Sequence, residues 1–296
     1  MINKNSMKEK SLSSIFKLYL FILESCVDVV KELHHSHFAN DIKSYQTIIL
    51  NRIVKTLNTL NQILEVSKDP ISGYCLLRTI ADSICSYCFI YENDNGDEVE
   101  FRHFLFLLDG CSQFVNTFPS SLSNNELIDE KDKYKNRIVI EQERTDLNDF
   151  QQNTFAFLHN THMVLTLPND TERIIQNCDW KYREIISYSK KDSYNWQDIY
   201  EKAGCDVTMV NFLSSLLSQY VHGLFFSNTN NPNSEVHYTL IFDVAITLER
   251  RLISAIKNCF KEDNVDILMF KKMDLDKFAD IDIDRDSALS YFKTTK

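Results

Sequence analysis

Apolar residues recur every three to four positions through most of this chain, with polar and charged residues filling the gaps. The spacing predicts helices over residues 11–36, 40–66, 70–92, 97–117, 121–162, 170–188, 195–203, 206–227 and 234–261. Helix-start chemistry marks several of the breaks. Asp69-Pro70 offers a capping carboxylate and then a proline at the first helical position, where its missing N–H is not needed. Asn195, with Asp198 three residues later, is a weaker start of the same kind. The segment 123–152 is strongly charged and reads as a solvated helix or helix pair. Only five Gly and four Pro among 296 residues leave few tight turns, so the expected fold class is all-α, a multi-helix bundle. The expected organisation is one helical domain over residues 1–273, with a long solvated insert at about 119–165 and an acidic, loosely attached tail over 274–296. There is no internal repeat, no Gly-rich phosphate loop and no G-x-S-x-G elbow.

Two segments break the charge pattern. Residues 70–91 carry only Arg78 and Asp82, four apart and on one stripe with Ile71, Cys75, Cys85 and Phe89. Apolar residues flank that stripe, so the helix is expected to be central and the pair largely buried. A buried ion pair gains little stability over an apolar replacement, and base before acid is the less favourable order on a helix, so Arg78 is a candidate for a ligand or partner. The competing reading is a structural bridge to another helix. From Val207 to Ser234 there is no Asp, Glu, Lys or Arg. The helix there sorts into an apolar stripe of Val210, Leu213, Leu217, Tyr220 and Leu224 and a small polar one of Asn211, Ser215, Ser218 and His222. Its lack of charge predicts enclosure, with the polar stripe against a pocket, a neighbouring helix or a second subunit. If the two charge-poor helices adjoin, Arg78, Asp82, Ser218 and His222 form one polar site, in which Asp82 accepts a hydrogen bond from His222. The alternative for His222 is a core histidine satisfied locally. Arg102, in the next helix, shares a face with Glu98, Asp109 and Gln113; it is either a solvated ion pair or a further site residue.

Composition narrows the classes. With 44% hydrophobic residues the chain can build a substantial core, and a net charge of −10 opposes a broad nucleic-acid-coating surface. A small basic pocket remains compatible with it. Five of the eight cysteines (Cys26, Cys75, Cys85, Cys88, Cys259) fall in apolar helical patterns, as packed thiols in a reducing cytoplasm would. Cys85-Ser-Tyr-Cys88 has no second pair at zinc-ribbon spacing, so packing is favoured over metal or redox use, and no cofactor or metal is expected. The basic start and the apolar stretch after it are interrupted by Lys17 and lack a cleavage site, so residues 11–36 read as a buried helix and no membrane association is expected.

The stretches "LLRTIADS", "FRHFLFLLDG", "YNWQDIYEKAG" and "LLSQYVHG", scattered over residues 70–225, resemble a group of bacterial all-helical proteins grouped with HEPN-like domains (higher eukaryotes and prokaryotes nucleotide-binding). The resemblance implies a helical bundle with an Arg and a His from different helices near one cavity, here Arg78 and His222, and a role around phage defence. HEPN ribonucleases resemble one another in an Arg followed four to six residues later by His. No arginine of this chain has a histidine at that spacing.

Three functions follow. One is a helical module that binds a small anionic ligand, a nucleotide or a protein partner, including a second copy of itself, through Arg78, Asp82, Ser218, His222 and Arg102. Another is a ribonuclease with a rearranged site. The third is a ferritin-like di-metal protein, because Glu32-x-x-His35 and Glu100-x-x-His103 have the spacing such bundles use on two of four helices.

Overall fold

A computed structural model describes residues 11–36, 38–117, 130–222, 235–265 and 268–269. Every regular element among the described residues is helical and none is a strand. In chain order they are α1 (Leu12–Leu33), α2 (Ile42–Gln62), α3 (Pro70–Tyr91), α4 (Gly96–Thr117), α5 (Glu130–His159), α6 (His162–Thr166), α7 (Pro168–Gln176), α8 (Trp196–Lys202), α9 (Val207–Asn211), α10 (Leu217–Val221) and α11 (Glu235–Cys259). Two π turns extend helices: Ile63–Ser67 continues α2, and Phe212–Leu216 joins α9 to α10.

The packing separates the chain into two compact units. One is drawn from Met1–Glu92 and Trp196–Lys296, the other from Asn93–Asn195. The sequence suggested one domain with an insert beginning at about 119; the second unit begins at Asn93 and includes α4. The acidic tail over 274–296 lies outside the described residues.

In the first unit α3 is the centre, packed against α2, α8, α10 and α11, while α1 lies along α2 and α11. Local chemistry fixes where α3 begins. The Asp69 carboxylate accepts the Ile71 and Ser72 N–H groups at 3.0 and 3.3 Å, and Pro70 follows it. From there Tyr74, Leu77, Ile80, Ala81, Ile84 and Cys85 are all but inaccessible, as the scarcity of charge predicted. Gly73 allows the close approach. A Cβ there would fall 2.9 Å from Leu64 Cδ2 in the first π turn and 3.2 Å from Ile241 Cδ1 on α11. Tyr74 stacks on Tyr220 at 4.4 Å between centroids, and its hydroxyl meets His237 Nδ1 at 2.7 Å, so the polar tip of a buried ring is satisfied. Within the residue 11–36 segment α1 ends at Leu33, and it is a packed helix, with Phe16, Leu18, Leu23, Cys26 and Val30 at zero exposure. No helix among the described residues is long and apolar enough to cross a membrane.

In the second unit α4 packs on α5 and α6, with Phe101, Phe104, Leu105 and Leu108 buried. The charged segment behaves as its composition demands: over its described N-terminal part α5 is mostly exposed, with an Arg137–Glu141 pair at 3.0 Å in solvent, and it buries Ile140, Thr154 and Leu158. One predicted helix is cut short. Instead of running from 170 to 188, α7 ends at Gln176, and residues 177–195 are irregular apart from a 3₁₀ turn at Lys190–Asp192. Cys178 adopts φ +46°, and the Asp179 N–H returns to Ile174 O, closing the helix without a glycine. Competing partners hold the loop: Asp179 accepts from the Lys181 N–H and from the Tyr188 and Ser193 hydroxyls.

Candidate functional site

The two charge-poor helices do adjoin, and Arg78 is the link between them. Its Nε lies 3.0–3.1 Å from the Asp82 carboxylate, and its Nη1 donates to the carbonyl of Leu213. That carbonyl lies in the π turn, where the Leu217 N–H bonds to Phe212 O, five residues back, and so leaves the α-helical partner of Leu213 O elsewhere. The guanidinium also sits 5.3 Å from the Tyr200 ring centroid, and the Tyr200 hydroxyl donates to Asp82. Burial and the Asp82 carboxylate both push the Tyr200 phenol far above its ordinary range, so it stays a donor. Arg78 is 15% exposed and Asp82 30%. The pair is a cross-helix bridge among α3, α8 and the second π turn.

His222 is set apart from it. It is exposed at the end of α10, nine residues beyond Leu213, or about 13 Å along a helix axis. Both Asp82 oxygens are engaged by Arg78 and Tyr200. The small polar stripe is mostly open to solvent rather than enclosed: Asn211, Ser215 and His222 are exposed and Ser218 is half-buried, while Val210, Leu213, Leu217 and Tyr220 are buried as expected. Leu224 lies outside the described residues.

Arg102 belongs to the second unit and is no solvated pair. It is 3% exposed, holds Glu98 Oε1 at 2.7–2.9 Å, and donates to the carbonyls of Trp180 at 2.7 Å and Tyr182 at 3.0 Å. Its guanidinium lies 3.9 Å from the Tyr182 ring centroid. Asp109, the other candidate partner, accepts from the Trp180 indole at 3.1 Å. Arg102 therefore clamps the irregular loop onto α4. The Tyr182 hydroxyl beneath it is buried and has no hydrogen-bond partner among the described residues. Tyr182→Phe keeps the ring under the guanidinium and removes that orphan, so it is expected to raise the unfolding free energy by about 1 kcal/mol, read from urea denaturation. A loss of stability would show that the hydroxyl is satisfied in solution.

A half-open pocket of about 270 Å³ lies between the α8–α9 turn and α11. The turn is set by Gly204 at φ +87°, with the Cys205 N–H reaching back to Tyr200 O at 2.9 Å, the closing bond of a Schellman motif. A side chain at 204 would be strained by that φ and would meet Arg251 Nε at 3.4 Å. Gly204, Cys205 and Asp206 form one wall. The other is a single face of α11, where Thr247, Arg250, Arg251 and Ser254 follow at helical spacing; Met209 and Leu248 supply apolar lining. Arg251 is tied down, with Nε donating to Ala203 O and Nη2 to Glu92, which also accepts from Asn258 at 2.6 Å. Arg250 is exposed, 5.9 Å from the Tyr19 ring centroid, and pairs with no carboxylate among the described residues. Asp206 is occupied as the cap of α9, accepting the Met209 N–H at 2.8 Å.

Sequence reasoning missed this pocket. The run "LERRLIS" placed two arginines on α11, but only the fold brings them against residues 204–206. No group of three or more His, Cys, Asp or Glu suited to a metal occurs among the described residues. Of the di-metal pattern, His103 is fully buried in the α4 core, whereas His35 is exposed just past the end of α1. The chain matches no protein-family model, no curated protein and no solved structure.

Proposed function

We propose that this chain is a helical ligand-binding module whose ligand carries a phosphate or carboxylate and seats on the Thr247–Ser254 face of α11. The observation that carries the reading is Arg250: an exposed guanidinium at a pocket, paired with no carboxylate among the described residues, beside the Thr247 and Ser254 hydroxyls and the fixed Arg251. A guanidinium offers paired donors that match an anionic fork, and the pocket volume suits a small molecule better than a polymer. The HEPN-like resemblance makes nucleotides the first ligand class to try and phage defence the process to which the module would belong. A rearranged ribonuclease is less well supported, because Arg78 is committed to Asp82 and Leu213 while His222 stands apart.

Calorimetric titration of the purified chain with ATP, and separately with inorganic phosphate, tests this. Saturable binding without turnover, weakened about tenfold or more by Arg250→Ala, is the expected result. Absence of binding to both, or binding indifferent to Arg250, overturns it.

A further inference from the structure

Four cysteines of the first unit converge around the C-terminal half of α3. Cys85 and Cys88 lie on α3 itself, Cys205 on the α8–α9 turn, and Cys259 at the end of α11, where its thiol reaches the Tyr91 carbonyl at 3.4 Å. All are free thiols. Two of them touch: Cys85 Sγ and Cys205 Sγ are 3.9 Å apart, joining residues 120 positions apart in the chain. Their surroundings differ. Cys85 has no solvent exposure, whereas Cys205 is half-buried and lines the pocket. Arg251, held on Ala203 O and Glu92, stands beside the same turn.

The geometry points to a reversible redox site in which a hydroperoxide oxidises Cys205 and Cys85 resolves the product as a disulfide. The pocket admits a small oxidant to one thiol only, and the second thiol is in contact behind it. In the first step the Cys205 thiolate attacks a peroxide oxygen: an S–O bond forms, the O–O bond breaks, and the leaving oxygen takes a proton and departs as water or an alcohol. Sulfur is oxidised to a sulfenic acid by the two electrons the peroxide gains. In the second step Cys85 sulfur attacks Cys205 sulfur, the S–S bond forms, the S–O bond breaks, and the hydroxyl leaves as water with the Cys85 proton. Thiol reductants return the disulfide to two thiols by exchange and are themselves oxidised to a disulfide. Closing 3.9 Å to a disulfide of about 2.05 Å requires a movement of roughly 2 Å. The turn at Gly204, rather than the packed helix α3, is where it would be absorbed.

Electrostatics favour the same order of events. The Cys85 thiol hydrogen-bonds to Cys205 and lowers its pKa; burial opposes this, and the Arg251 charge lowers it again against a smaller contrary effect of Asp206. The same hydrogen bond, with burial, pushes Cys85 well up. Cys75 and Cys178 are comparably accessible, yet burial raises both, so they serve as internal references. The thiolate is the reactive species, so Cys205 is the thiol set to react first.

The test uses the full reduced chain. Limiting iodoacetamide at neutral pH, followed by peptide mapping, is expected to label Cys205 about tenfold faster than Cys75 and Cys178. Limiting hydrogen peroxide is expected to give one cross-linked peptide pair, joining Cys85 to Cys205 and released by dithiothreitol. In Cys85→Ala the same treatment leaves a dimedone-reactive sulfenic acid at Cys205, and Cys205→Ser shows neither product. Equal labelling of the three thiols, a Cys88–Cys259 link in place of the expected one, or no link at all overturns the proposal. The labelling order and the peptide map need no variant, so a substitution that fails to fold leaves the test intact. None of these readouts depends on whether ATP binds, so this inference and the proposed function fail separately.

Discussion

Arg102→Ala is expected to destabilise the second unit by about 3–5 kcal/mol, towards the lower end because Glu98 keeps 28% of its side chain in water. The substitution strands the Glu98 carboxylate, frees the carbonyls of Trp180 and Tyr182, and removes the cation over the Tyr182 ring. The two carbonyls then have to find water in a place that is closed to it, and Glu98 keeps a charge only partly reached by solvent, which is why losing one partner costs more than the pair was worth. Trp180 is 4% exposed and lies at the clamp, so its fluorescence reports the loss directly during urea unfolding. Arg102→Lys is expected to recover only a minor part, because one ammonium cannot serve a carboxylate and two carbonyls held in the plane of a fork. A shift below about 1 kcal/mol for the alanine variant would mean that the loop is held by Asp179 alone.

Glu249→Gln is expected to flatten the fall in stability that the wild type shows as pH rises above the ordinary carboxyl range. Glu249 is on α11, fully buried, and neither of its carboxyl oxygens has a hydrogen-bond partner among the described residues. Burial, and secondarily the nearby Glu24 carboxylate, push its pKa well above the usual 4.5. The folded state thus binds this proton more tightly than the unfolded chain does. The associated stability is fully present below the unfolded value and is lost as pH climbs through the folded one. Thermal unfolding from pH 4 to pH 8 should show the two proteins diverging, with the glutamine variant increasingly the more stable. Glu249→Leu should gain about 1–3 kcal/mol more by removing the unsatisfied polar group altogether. Parallel pH profiles for wild type and Glu249→Gln would show that a water or a rearranged partner satisfies the carboxyl.

The centre of the fold was legible in the sequence because two independent cues agreed there. Asp69-Pro70 fixed the start of α3, and the near absence of charge through Tyr91 fixed its burial. The same charge argument misled at residues 207–222. Missing Asp, Glu, Lys and Arg do not by themselves enclose a helix face; Asn211, Ser215 and His222 are polar enough to stand in solvent. Apolar spacing extended a helix over 170–188, but the competing partners for the loop past Gln176, Arg102 and Asp179, act through pairings that periodicity does not record. Arg78 and Asp82 were found as a pair because they are four apart on one helix. Cys205, Arg250 and Arg251 were not found, because their juxtaposition exists only between α11 and a turn more than forty residues away.

Each π turn is, in effect, one residue more than the helix around it needs. An α-helix turns about 100° per residue, so the extra residue between Asn211 and Leu217 sets the angular phase of everything after it. Tyr220 reaches Tyr74 in that phase, and Leu213 O is left for Arg78 because the Leu217 N–H bonds one residue further back. Related chains that lack one residue in 212–216 would run as a plain α-helix through this region. They would present a different side chain to Tyr74 and leave an arginine at 78 with no carbonyl to hold, so in such chains residues 78 and 220 would be expected to change together with the deletion.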